Sequence, residues 1–285
     1  MVKSNLIRRT GPIALAVFAA SLVWAQPPDP GPVIIPKETI RLFDGKSLDP
    51  FYTWLAEHGY NDPDKVFTVV DQIDGAPAIR ISGQGYGGIV TKKRYANYKL
   101  IVEYRWGPVT WGQRKDRTRD SGILLHAQGR DGNSKADFTG PWIRSVECQI
   151  IEGGVADFIL VGGYEPNGEI IRPGLTARVR KDRDGENVFD PKAAPQRFVQ
   201  GRINWYGRDV DWADKLGFRG REDVESPYPQ WTRIEAICDG GKITYYVNGK
   251  LVNEGTESTL TDGKLLFQTE GAEIFFRRID LEPLR

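Results

Sequence analysis

Tyr98-Lys-Leu-Ile-Val-Glu-Tyr-Arg-Trp106 (YKLIVEYRW) changes character at every second residue. Leu100, Val102 and Tyr104 fall on one side, and Ile101, Glu103 and Arg105 on the other. That is the period of a β-strand whose two faces meet different surroundings. Working outward, the same alternation predicts strands over 121–127, 146–151, 232–238, 242–247, 265–269 and 273–281. Asp239-Gly240-Gly241 and Asn248-Gly249 separate neighbouring runs with residues that tolerate positive φ, so both read as hairpin turns. Helical periodicity is confined to 49–58, where a short helical turn is expected. Many strands, 32 glycines and no helical crossovers predict an all-β fold, an antiparallel sandwich of two sheets.

The ends carry their own signals. Lys3, Arg8 and Arg9 precede an apolar run over 12–24 that closes on Val23-Trp24-Ala25, so residues 1–25 read as a signal peptide. The run is shorter than the roughly 20 apolar residues of a membrane span. Cleavage near Ala25 would leave 260 residues with a formal charge of −2, which offers nucleic acid no electrostatic attraction. The expected location is periplasmic or secreted, with no membrane partner after cleavage. Residues 26–36 form a Pro-rich linker, and 37–285 are expected to form one β-sandwich domain. Cys148 and Cys238 suit either one disulfide or two buried thiols. The stretch 164–230 is too long for a hairpin loop and predicts an irregular insertion folded over the domain. Its charge run 178–184 reads as a solvated surface. Its aromatic run 201–212 suits either a sugar-facing loop or packing anchors.

Polar residues interrupt the apolar alternation in a pattern of their own. In Ser145-Val-Glu-Cys-Gln-Ile-Ile-Glu152, Glu147, Gln149 and Ile151 share one face, while Cys148 and Ile150 point to the core. Glu152 rejoins the first face only across a bulge, which Gly153-Gly154 makes available. The same parity sets Asp120, Gly122, Leu124 and His126 on one face, with Glu103 and Arg105 on a candidate neighbour and Gln268 and Glu270 on a later strand. Side by side, these strands would gather Glu103, Arg105, Asp120, His126, Glu147, Gln149 and Gln268 on one surface. So many polar groups are costly unless they pair or bind something. Cross-strand salt bridges on a solvated face are the plain alternative, whereas Trp106, Trp111 and Trp142 would wall a groove. His126 is either a hydrogen-bonded structural residue or part of that site. No spacing suggests a metal, and no cofactor is expected.

Leu42-Phe-Asp-Gly-Lys-Ser-Leu48, Asp120-Ser-Gly-Ile123, Glu147-Cys-Gln-Ile-Ile-Glu152, Trp231, Ile243-Thr-Tyr-Tyr-Val-Asn-Gly249, Gly263-Lys-Leu-Leu-Phe-Gln268 and Phe276-Arg-Arg-Ile279 occur in this order. As an ordered set over 39–284 they resemble the 3-keto-disaccharide hydrolase family. The resemblance implies a concanavalin A-like jelly-roll sandwich and cleavage of disaccharides or glycosides already oxidised to a ketone at sugar carbon 3. Where many members carry Asn-Ser-Gly and a following arginine, this chain has Asp120 and His126, and a histidine after the late glutamine is replaced in Gln268-Thr-Glu270. Both departures bear on substrate choice, and on activity itself. A ketone at carbon 3 acidifies the carbon 2 proton, so elimination of the group on carbon 1 needs a base, an enolate partner and an acid. On this reading Glu147 is the base, Arg105 or His126 meets the enolate, Glu152 or Asp120 is the acid, and Gln149 and Gln268 bind hydroxyls. Glu103 and Trp142 complete the substrate contacts. Glu147-x-Gln149-x-x-Glu152 also resembles the Glu-x-Asp-x-x-Glu of laminarinase-like glycosidases, for which a carboxyl pair about 5–5.5 Å apart would serve. A third reading is a carbohydrate-binding module that has no need of Glu147.

Overall fold

The computed structural model describes residues 27 and 29–284, so the expected signal peptide lies outside the described residues. Two large antiparallel sheets, of 11 and 8 strands, pack face to face. The larger runs Asn187–Phe189, Leu175–Lys181, Lys250–Thr256, Lys242–Val247, Thr232–Asp239, Tyr98–Thr110, Ala272–Pro283, Ala76–Ile81 and Phe67–Ile73, with Ile40–Arg41 added beside Ala272–Pro283 and Pro195–Phe198 beside Leu175–Lys181. The smaller runs Gly201–Ile203, Phe158–Val161, Arg144–Ile151, Asp120–Gln128, Asp262–Glu270, Tyr86–Thr91 and Phe51–Leu55, with Tyr95–Ala96 added beside Asp262–Glu270. Apart from one 3₁₀ turn, Gly112–Arg114, the described residues hold no helix, and none is long and apolar enough to cross a membrane. The architecture is the all-β jelly-roll sandwich expected.

Alternation builds the core. Tyr98, Leu100, Val102, Tyr104 and Trp106 from the central strand of the larger sheet meet Ile123, Leu125, Val146, Cys148, Ile150 and Phe267 from the smaller. Edge-on and tilted ring pairs bridge the sheets, Phe267 with Phe276 at 5.5 Å and Phe158 with Tyr245 at 4.3 Å between centroids. Cys148 and Cys238 are both buried and free, which selects the thiol alternative. Asn248 and Gly249, at φ 48° and 79°, form the expected tight turn; two successive left-handed residues match the twist of the strands they join.

Two regions depart from expectation. The predicted helical turn over 49–58 is instead the edge strand Phe51–Leu55, because Phe51 and Leu55 enter the main core while Trp54 packs on the opposite face. Burial on both faces of a five-residue aromatic run favours the extended form over any local helical tendency. Residues 164–203 of the expected insertion are not irregular: Leu175–Lys181 and Gly201–Ile203 extend the larger and smaller sheets respectively. The charge run belongs to that first strand, with Leu175, Ala177 and Val179 buried and Arg178 and Arg180 exposed.

Candidate active site

The outer face of the smaller sheet is divided between an apolar half and a polar half. In the first, Val90, Leu124, Ala127, Ile143 and Leu266 form a second small core with Trp54, flanked by Tyr52, Tyr60 and Trp142. The segment 129–143 closes over it. Trp54 donates its indole N–H to Gly140 O at 2.9 Å, and the Tyr52 and Tyr60 hydroxyls donate to the two Asp131 oxygens at 2.7 and 2.9 Å.

The polar half lies alongside, where the register pairs Gly122 with Gln149, Leu124 with Glu147 and Asp120 with Ile151. Phe267 opposite Ile123 carries Gln268 to the same level as Gly122. Gly122 is needed there: a Cβ would overlap Glu147 Oε1 and Gln268 Oε1, so the missing side chain makes the hollow into which both reach. Gln149 donates its amide N–H to Asp120 Oδ1 at 2.8 Å, and Arg114 pairs with Asp120 Oδ2. Arg114 also binds Asp214 at 3.2 Å, which ties the late insertion to the site. The amide oxygens of Gln149 and Gln268 are buried without a hydrogen-bond donor, leaving two acceptors open beside the carboxyls.

Charge crowding sets the protonation of this cluster. Burial, and then the neighbouring Asp120 charge, pushes the Glu147 carboxyl from its ordinary 4.5 up to about 8. Burial raises Asp120 to about 6, with Arg114 and Arg202 opposing the rise. Glu270 is raised well above the ordinary carboxylate range by burial and by the charges of Asp120 and Glu147. Three carboxyls therefore share fewer than three negative charges at neutral pH. Arg202 occupies the same cross-strand row as Glu147, separated from it by Ile159. Its Nε is buried without a hydrogen-bond acceptor and lies 3.5 Å from Asp157 Oδ2, which Arg208 engages at 2.6 Å.

Asp120, Glu147, Gln149 and Gln268 thus meet on one face, as their parity predicts, and Glu147 lies outside the inter-sheet core. Several other expected members do not join them. The ladder slips between Leu125 and Gln128, and His126, at φ 54°, turns inward: it is fully buried, packs edge-on against Tyr98 and bonds Leu260 O through Nδ1 at 2.9 Å. Burial lowers its imidazole to about 4, so it is neutral at pH 7. Glu103 and Arg105 lie on the other sheet, facing away from the site. Glu103 pairs with Arg277 at 2.7 Å and Arg233 at 3.5 Å, and Arg105 with Asp74 at 2.6 Å. Two-residue periodicity cannot tell which sheet a strand joins.

Glu152 is also occupied elsewhere. The chain turns after Ile151, and the Glu152 carboxylate receives Arg119 Nη1 at 2.6 Å, Arg119 N at 2.9 Å and Gly217 N at 2.9 Å. It is a buried clamp for the insertion, so the laminarinase-like pairing with Glu147 has no counterpart. Trp142 packs on the apolar half, and Trp106 is inside the core, donating to Glu225 at 2.6 Å. In the aromatic run, Trp205 is buried and Trp212 donates to Glu152 O at 2.9 Å, so these act as packing anchors. Glu270 shares parity with Gln268 and was legible in the sequence. Arg114 and Arg202 were not, since a loop turn and a three-residue strand deliver them. No group of three or more His, Cys, Asp and Glu able to hold a metal occurs among the described residues.

A candidate glycosyl hydrolase from Parabacteroides distasonis superposes with a TM-score of 0.46 at 18% identity, covering 87% of this chain and 94% of that one. A carbohydrate binding module from Bacillus subtilis gives 0.39 at 10% identity, covering 76% and 91%. A β-glucanase from Bacillus licheniformis gives 0.32 at 10%, covering 82% and 97%. No curated protein matches the chain. The description of the 3-keto-α-glucoside-1,2-lyase-like domain matches residues 38–282, nearly the whole sandwich, and the chain belongs to that family.

Proposed function

We propose that this protein is a carbohydrate-active enzyme that cleaves glycosides carrying a ketone at carbon 3, with Glu147 as the base. One observation carries the assignment. Both Asp120 oxygens are engaged, by Gln149 and Arg114, whereas Glu147 beside it has no ion-pair partner and is raised to about 8 by burial. A general base works best with a pKa near the working pH, because it is then both available and strong.

In the proposed reaction the Glu147 carboxylate takes the proton from carbon 2, and the C–H electron pair becomes the enolate between carbons 2 and 3. Arg202, whose Nε has no hydrogen-bond acceptor, stands where it can meet the developing charge on the carbon 3 oxygen. Collapse of the enolate re-forms the ketone, makes the carbon 1–carbon 2 double bond and breaks the bond from carbon 1 to the leaving oxygen. Glu270, held protonated by its surroundings, donates the proton that oxygen needs. Addition of water across the new double bond completes hydrolysis, and release before that step makes the enzyme a lyase. Gln149 and Gln268 offer free amide oxygens to sugar hydroxyls.

The test is to incubate the protein with a 3-keto-glucoside and with its unoxidised parent in heavy water. The proposal expects cleavage of the ketone alone, with deuterium entering carbon 2 of recovered substrate or product. Cleavage of the parent at an equal rate would assign a conventional glycosidase, and binding without cleavage of either would assign a binding module. Export is part of the same proposal: N-terminal sequencing of the protein recovered from outside the cytoplasm should read from Gln26.

A further inference from the structure

Resting on the reading above, the geometry points to a leaving-group subsite at Glu270, formed by the exposed rings of Tyr86 and Trp111 and shaped for a ligand with a flat, weakly polar face. We infer this from an exposure gradient along the polar half of the sheet. Asp120, Glu147, Gln149 and Gln268 are all buried, at 2%, 4%, 4% and 1% exposure, whereas Glu270 is less completely buried. The opposite half of the face is filled by its own small core. The hollow therefore opens at Glu270, and whatever leaves carbon 1 with a proton from that carboxyl departs in that direction.

Two large aromatics stand there. Tyr86 is the direct ladder partner of Glu270 and is 41% exposed. Trp111 is 39% exposed and is fixed to the next residue, its backbone N–H donating to Gly271 O at 2.7 Å. The Trp111 indole N–H donates to Ser82 O at 2.7 Å, which satisfies the ring's only polar group and leaves its faces apolar. An exposed indole held at both backbone and side chain has little orientational entropy left to lose when a ring stacks on it. Aromatic faces attract other aromatic rings and the C–H faces of pyranoses alike, so the shared chemistry is a flat ring attached to the glycosidic oxygen. Small alkyl leaving groups would forgo it.

The experiment compares phenyl, glucosyl and methyl as the leaving group, first as unoxidised glucosides by calorimetric titration and then as 3-keto-glucosides in turnover. The wild-type protein is expected to bind at least one ring-bearing glucoside five times or more tightly than methyl glucoside. Trp111→Ala and Tyr86→Ala should each collapse that preference, and Trp111→Phe should retain most of it, which separates loss of stacking from misfolding. A phenyl preference identifies an aryl leaving group, and a glucosyl preference identifies a second sugar. A preference that survives both alanine variants, or no preference in the wild type, overturns the subsite. Because the titration needs no turnover, a subsite without cleavage of any ketone would sink the reaction and not this inference.

Discussion

Replacing Glu147 with glutamine should end turnover and at the same time make the protein more stable, by an amount that grows from almost nothing near pH 5 to its full value near pH 8. The folded state holds the Glu147 proton up to about pH 8, whereas an unfolded carboxyl releases it near 4.5. Between those values the native protein binds a proton that the unfolded chain does not, so this group's contribution to stability is complete below pH 4.5 and is lost as pH rises through 8. At about 1.4 kcal/mol per pH unit the full loss has a ceiling of about 5 kcal/mol. Glutamine has nearly the same shape and cannot ionise, so the loss disappears with it. Its amide brings donors that need partners, at a cost of about 1 kcal/mol, and relaxation around the wild-type charge lowers the ceiling further. The expected gain is about 2–4 kcal/mol at pH 8, or about 5–15 °C in Tm for a domain of this size, with little or no gain at pH 5. Urea titrations of both proteins at pH 5, 6.5 and 8, followed by tryptophan fluorescence, would measure it. A stability difference that is the same at pH 5 and pH 8, or a variant less stable at pH 8, would refute the argument that Glu147 is a desolvated, unpaired acid.

Other expectations follow from the same geometry. With Glu147 as the base, kcat/KM for a 3-keto-glucoside should rise about tenfold between pH 6 and pH 7 and level off above about 8; a flat profile across that range would exclude it. Arg202→Met should lower kcat by about a hundredfold, the usual loss when an oxyanion partner is removed, and an unchanged kcat would return the enolate role to another group. Glu152→Gln should destabilise the fold by about 3–5 kcal/mol, because it strands the buried Arg119 guanidinium. Chemical denaturation would detect this, and loss of activity with full stability would make Glu152 catalytic after all. Titration with a thiol reagent should find two reactive thiols only after unfolding, with or without prior reduction.

What can be read without coordinates is whatever a single strand settles locally. The two-residue period sorts Glu147 and Gln149 from Cys148 and Ile150, and it sorts Gly122 and Asp120 from Ile123, because adjacent side chains on a strand must point oppositely wherever pairing is regular. Turn chemistry at Asn248-Gly249 is equally local. Partner strands are not. Glu103 and Arg105 satisfy the same parity as the site residues but belong to the other sheet, since nothing in one strand's alternation names its neighbour. His126 obeys the pattern in sequence and breaks it in space, because a register slip inserts residues between Leu125 and Gln128 and reverses the face. Glu152 passes from candidate acid to clamp for a similar reason: the regular strand ends at Ile151, and where a turn sends the next side chain depends on what packs beyond it. Arg114 and Arg202 come from far along the chain to charge the hollow. Only long-range pairing decides that two guanidinium groups and three carboxyls meet there, and their mutual electrostatics, which no residue carries alone, set the protonation on which the proposed chemistry depends.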